Sequence, residues 1–306
     1  MNYLTGHWSF DPFLIIAIIL VGWHEVGLAR LAPRSTPELA RRLRRRSLAF
    51  YGGIAVALIA VESPVEYWAN EYFFMHMVQH LLLMFAAPML VVAGAPWQPL
   101  LGGRPGWAAR SAAVQPMRVW ARPLRAAGSW LLRPWVSVSA FSVVMIAWHI
   151  PALLDLAEDN HAVQIWLMHP SFFVAGVLFW LQFIPSPPFR MRMPLTSQAG
   201  AIIGTNIIMW ILAMSMGILT QASWYPVYDH IRGVTLSPFA DQQIGAGILW
   251  VCGDFWAIPT LVVIVRRIIA EDGSLGSALD RILGRPGAAA ERPPGTSGGW
   301  ASRAGR

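Results

Sequence analysis

Seven apolar stretches, near residues 12–31, 47–62, 72–94, 135–153, 162–184, 197–219 and 240–265, limit what this chain can fold into. A helix rising 1.5 Å per residue needs about 20 apolar residues to cross a hydrocarbon layer. Within that layer every backbone N–H and C=O must be satisfied internally, and long single segments do so only as helices. The second stretch is short; the others have the length. The expected fold is therefore all-α, a polytopic integral membrane bundle of about seven transmembrane helices. Charged residues make up 13% of the chain, against about 25% in soluble domains, so little of the surface is built for water.

The arginines give the bundle a direction. Arg34, Arg41, Arg42, Arg44, Arg45 and Arg46 lie between the first two stretches, and Arg104, Arg110, Arg118, Arg122, Arg125 and Arg133 lie between the third and fourth. Arg190 and Arg192 follow the fifth, and Arg266 and Arg267 follow the seventh. The alternate connections carry Glu62, Glu66 and Glu71, then Asp155, Glu158 and Asp159, with Arg232 as their basic residue. Positive charge collects on the cytoplasmic side of membrane proteins, so the N-terminus is expected outside and the C-terminus in the cytoplasm. The formal charge of +7 then reads as orientation in a lipid bilayer and not as a nucleic-acid surface.

Three smaller features complete the organisation. Segment 95–134 mixes arginine with Trp107, Trp120 and Trp130 and is broken by Pro105, Pro116 and Pro123, a composition suited to the cytoplasmic interface or to a solvated basic loop. From Gly273 onward Gly, Ala, Pro, Ser and Arg dominate, which predicts a disordered tail. The expected division is one membrane domain, 1–271, and a cytoplasmic tail, 272–306. The N-terminus shows neither a basic n-region nor an Ala-x-Ala site, so no removable signal peptide is expected.

Histidines carry the chemical signal. His76 and His80 are four residues apart in an otherwise apolar stretch, so on a helix they share one face. His149 and His169 fall in the outer halves of the next two stretches. Polar groups in a membrane helix are costly and turn toward a bundle interior, and four at one depth call for a common purpose. Met145 and Met84 stand one turn from His149 and His80, and His161 opens the fifth stretch; these three are possible auxiliary contacts. Imidazole with thioether suits copper; calcium and magnesium require oxygen. With Cys252 as the single cysteine, no disulfide or Cys-x-x-Cys site is available. The bland alternatives are hydrogen-bonded interhelical histidines and methionines that fill core space. Asp241, beside Gln242, reads either as a carboxylate that fixes an imidazole tautomer or as the cap of its own helix. His24 and Asp254 share a greater depth, and a contact between them is expected.

The residues His76-Met-Val-Gln-His80 with Ala87-Pro88, Gly94-Ala-Pro96, Trp148-His149-Ile-Pro151, His169-Pro170 with Phe179-Trp180, and Asp241-Gln-Gln243 with Trp250 together resemble the polytopic caa3-type cytochrome c oxidase assembly factor family of the Gram-positive CtaG type. That resemblance implies a non-enzymatic role in maturing a haem–copper oxidase in the bacterial cytoplasmic membrane, with apo-oxidase subunits as partners and copper as the ion handled. Two other functions remain open at this point. The same histidines suit a haem held across a bundle, as in b-type cytochromes. His24, Asp254 and Asn206 suit a copper or proton transporter. Oligomeric state is not encoded in any of these features.

Overall fold

A computed structural model describes residues 6–102, 115–229, 236–272 and 276. The described residues contain helices α1 (Pro12–Leu31), α2 (Pro37–Glu62), α3 (Pro64–Glu71), α4 (Phe73–Gly94), α5 (Trp97–Gly102), α6 (Gln115–Leu131), α7 (Pro134–Trp148), α8 (Pro151–Asp159), α9 (His161–Trp180), α10 (Leu195–Gly217) and α11 (Pro238–Asp272), and no strand. Compact units comprise Met1–Leu261 and Val262–Arg306. The second contains the end of α11. His230 and Arg232 of the connection before α11, Trp107, and all but Asp272 and Gly276 of the expected tail lie outside the described residues.

Five helices are long and apolar enough to cross a membrane, namely α1, α4, α9, α10 and α11. Two bent pairs raise the number to as many as seven: α2 with α3, at 46°, and Arg125–Leu131 with α7, at 77°. The chain is a multi-pass membrane protein. Its exterior agrees, because Phe255 is 76% exposed and Ile15, Ile18 and Ile211 also face outward, whereas His76 is 0% exposed. Apolar side chains outside and polar ones inside suit lipid as the surrounding medium.

Helix boundaries follow from local chemistry. Pro64 has no N–H to continue α2, and Ser63 stands extended between the two helices. The Ser63 hydroxyl accepts from Val65 N at 3.2 Å, capping α3. Ser63→Ala removes that acceptor and is expected to cost about 1 kcal/mol, measurable as a modest fall in melting temperature of the purified protein.

Two helix starts are capped from elsewhere. Glu62 Oε2 and Oε1 accept from Asp11 N and Leu14 N, each at 2.9 Å, at the head of α1. Asp241 on α11 accepts from Phe73 N at 2.8 Å and Phe74 N at 3.0 Å, at the head of α4. A carboxylate at a helix N-terminus satisfies orphan N–H donors and meets the positive end of the helix dipole.

Both α4 and α9 contain one widened π turn, Leu82–Ala86 and Gln164–Met168, in which Ala87 N bonds Leu82 O and His169 N bonds Gln164 O. Each precedes a proline, Pro88 or Pro170. In a regular helix the proline ring would collide with the carbonyl four residues back; a turn with an extra residue absorbs the conflict. The Met84 carbonyl, four before Pro88, lies against Gly176 of α9, where an added Cβ would strike it and the Pro88 ring. Glycine there lets α9 close on the widened turn. Gly53 of α2 meets Ala87 and Val91 of α4 in the same way.

Candidate functional site

α4 supplies one wall of a buried polar cluster. His76 and His80, on one face, bring their ring centroids to 4.0 Å. His80 also packs on Phe172 of α9 at 4.1 Å and approaches His149, which ends α7, at 5.7 Å. His76 is close enough to His80, His149 and His169 to interact electrostatically with each. The structure thus brings together the four histidines that the sequence singled out. All four are at most 5% exposed.

Their hydrogen bonding is incomplete. His149 Nδ1 lies 2.6 Å from Met145 O; a carbonyl only accepts, so Nδ1 carries the hydrogen and Nε2 is a free acceptor. That Nε2 lies 3.4 Å from Met77 Sδ. His76 Nδ1 stands 3.1 Å from Glu158 Oε1, and His169 Nε2 stands 3.9 Å from Glu66 Oε2. Beyond those contacts the ring nitrogens of His76, His80 and His169 have no hydrogen-bond partner. Buried polar atoms are nearly always satisfied, and exceptions call for an explanation such as an ion or a functional role.

Glu66 and Glu158 escaped the sequence analysis, where they counted only as loop charges. The Glu66 side chain is 6% exposed and that of Glu158 2%. Gln79, between the paired histidines, donates to Glu66 and also to Ala60 O at 2.9 Å. Gln164 donates to Asn70 Oδ1 at 2.7 Å. The available signal was Gln79 itself, a third polar residue on a membrane helix that required buried partners.

The auxiliary candidates are placed otherwise than the spacing suggests. Met145 gives His149 its carbonyl, and Met77 brings its sulfur to 3.4 Å from the Nε2 of that ring. Met84 sits buried inside the π turn. His161 is 62% exposed and meets Asp11 at 3.6 Å and Gln164 at 3.2 Å, at the rim. Asp241 caps α4 three residues ahead of His76 in place of an imidazole contact or a cap on its own helix. Gln242 accepts from Trp224 N at 2.6 Å and donates to Met216 O at 2.8 Å, tying α11 to the end of α10.

The expected His24–Asp254 contact is corrected. His24 Nδ1 pairs with Tyr51 Oη at 3.0 Å, and Tyr51 also donates to Glu25. Asp254 Oδ1 accepts from Asn206 Nδ2 at 2.9 Å. Equal depth does not make two helices neighbours: α1 packs on α2, and Asp254 faces α10.

Tyr225 and Tyr228, which follow α10, reach the cluster. Tyr228 Oη donates to Ala69 O at 3.1 Å and Tyr225 Oη donates to His149 O at 3.0 Å. Burial pushes both phenols up, with neighbouring carboxylates adding to the shift, so both remain donors at neutral pH. Asp155 is also raised, by burial first and then by Asp159, Asp229 and Glu158, against a bond from the Val227 backbone.

Imidazole with one thioether and two carboxyl groups nearby is a donor set that first-row transition ions accept. Among the described residues, no three His, Cys, Asp or Glu side chains are disposed to hold one metal ion as they stand. Sharing an ion needs rotation of one or more rings; His80 loses no hydrogen bond in turning, whereas His149 would give up its bond to Met145 O.

Residues 22–271 match the family model described as cytochrome c oxidase caa3 assembly factor (Caa3_CtaG). Over 298 residues the chain is 26% identical to uncharacterized protein Mb0105 of Mycobacterium bovis and to uncharacterized protein MT0111 of Mycobacterium tuberculosis. Uncharacterized protein ML1998 of Mycobacterium leprae is 24% identical over 294 residues. Each comparison covers 90% of this chain and 41% of the relative, so the chain spans about two fifths of those proteins. No solved structure matches.

Proposed function

The chain belongs to the cytochrome c oxidase caa3 assembly factor family, and from that premise we propose that it matures a haem–copper oxidase by holding copper on His76, His80, His149 and His169 and releasing it to the apo-enzyme. The observation that supports this reading is the convergence of four buried imidazoles whose nitrogens are largely without hydrogen-bond partners. In this role the protein is a carrier and catalyses nothing. Met77, against His149, is the exchangeable soft contact.

The cluster faces the non-cytoplasmic side of the bacterial membrane in this reading. α2 runs from the arginines at 41–46 to Glu62, a rise of about 27 Å from Arg44, and Glu62 lies at the acidic end with Glu66. The N-terminus is then outside and the C-terminus in the cytoplasm, as the distribution of arginine favours.

The alternatives fit the geometry less well. A haem between these histidines requires a cleft, whereas His80 is packed between His76 and Phe172. An ion path through the inner half requires a continuous set of ligands, whereas His24 with Tyr51 and Asp254 with Asn206 form two separate pairs.

Metal analysis with absorption spectroscopy on the detergent-purified, copper-loaded protein tests the proposal. The expected result is retained copper after desalting and no Soret band. A Soret band that disappears on His→Ala substitution, or protein that emerges free of copper, overturns it.

A further inference from the structure

One face of α2 carries positive charge in excess. Glu38, Arg41, Arg42, Arg45, Arg46 and Ala49 recur at alternating three- and one-residue steps, the spacing that puts side chains on a single helical stripe. Arg41 with Arg45 and Arg42 with Arg46 are like-charged pairs one turn apart, which destabilise a helix. Arg42 lies close enough to act electrostatically on Arg46. Among the described residues, no carboxylate is in ion-pair contact with any of the four arginines. Together with Ala93, near the end of α4, these six residues line an open groove of about 390 Å³. Arg41, Arg42 and Arg45 are exposed and Arg46 is half-buried. The two helices meet closely beside the groove, where Gly94 leaves no room for a Cβ against Phe50.

The groove stands where a bilayer carries its phosphates. From Arg46 to Glu62 α2 rises about 24 Å, comparable with the ~30 Å of a hydrocarbon core, so the stripe lies at headgroup level at one end of the bent α2–α3 span. Guanidinium groups grip phosphate through paired N–H donors, and basic clusters beside a membrane span attract anionic lipid. Four arginines against Glu38 leave three positive charges, more than one phosphodiester neutralises. We propose that the groove binds an anionic phospholipid with two phosphodiester groups, as in diphosphatidylglycerol. The phosphates sit on Arg41, Arg42, Arg45 and Arg46, and the acyl chains pass Ala49 and Ala93 into the bilayer. Bound phosphate cancels the repulsion along the stripe and fastens α2 to the end of α4. No residue of this site belongs to the histidine cluster, so it stands apart from the copper reading.

The experiment titrates the full chain, purified free of lipid in a non-ionic detergent, with diphosphatidylglycerol, phosphatidylcholine or inorganic phosphate. Native mass spectrometry reads binding, and the melting temperature reads stabilisation. Diphosphatidylglycerol is expected to bind and to raise the melting temperature, and the other two to do neither at equal concentration. Replacing Arg42 and Arg46 together (Arg42→Gln, Arg46→Gln) is expected to weaken the lipid about 25-fold, at about fivefold for each arginine. Arg44→Gln, on another side of α2 beside Ser47 and Tyr51, is expected to change it by less than about twofold. Without lipid the double variant should melt at or above the wild type, because a like-charge pair is gone. If it does not fold, Arg45→Gln alone serves in its place, with an expected loss of about fivefold. Equal binding of phosphatidylcholine, an equal loss with Arg44→Gln, or wild-type affinity in the stripe variants overturns the site. Stabilisation by inorganic phosphate, or by polyglutamate and not by the lipid, overturns it in favour of a soluble anion or an acidic protein segment.

Discussion

Replacing His76 and His80 together by alanine is expected to abolish copper retention without unfolding the protein. The two rings are 4.0 Å apart at the centre of the cluster, and their nitrogens are buried and short of partners. Loss of a residue that merely orients a ligand costs about 10- to 100-fold in metal affinity, so removing two ligands should cost more than about 100-fold. Stability should respond differently. An unsatisfied buried polar group costs about 1–3 kcal/mol, and alanine removes that penalty while it leaves a cavity with an opposing cost. The two effects offset, and the melting temperature should move by only a few degrees. Cells carrying the double variant should make little active oxidase at low copper and recover part of it when copper is added. Normal oxidase activity in membranes from such cells would count against the assignment. A collapsed melting temperature would reassign the pair to structure.

The second large effect is structural. Asp241→Ala leaves Phe73 N and Phe74 N without their acceptor at the head of the helix that carries His76. Asp241 is 0% exposed, so water does not replace it. Hydrogen bonds to a charged group contribute about 1.5–3 kcal/mol each, and losing two should cost about 3–6 kcal/mol, a large part of the stability of most proteins. Asn keeps one accepting oxygen and turns an amide toward the other N–H, so Asp241→Asn should lose roughly half as much. Thermal unfolding in detergent, read beside the yield of monodisperse protein, gives both values. If Asp241→Ala unfolds like the wild type, the cap is not what anchors α4.

The helices themselves were readable from the chain. The predicted stretch 72–94 corresponds to α4 at Phe73–Gly94, and 12–31 to α1 at Pro12–Leu31, because hydrophobic length and proline positions are local properties. The prediction 135–153 ran past the end of α7 at Trp148, where Pro151 starts a separate helix. The stretch 47–62 began late, since the arginines at 41–46 belong to the same α2. Hydropathy records what lipid tolerates, and a helix continues into water without changing its hydrogen bonds.

The four histidines were identified from the sequence because a buried imidazole in a membrane span is costly enough to be conspicuous one residue at a time. Their neighbours were decided only by tertiary structure. Lateral packing separates His24 from Asp254, and chain folding returns Glu66 and Glu158 from the connections to the cluster. Depth along a helix is fixed by residue number, whereas the helix beside it and the face it turns inward depend on contacts between residues up to 168 positions apart, as between Asp241 and Phe73.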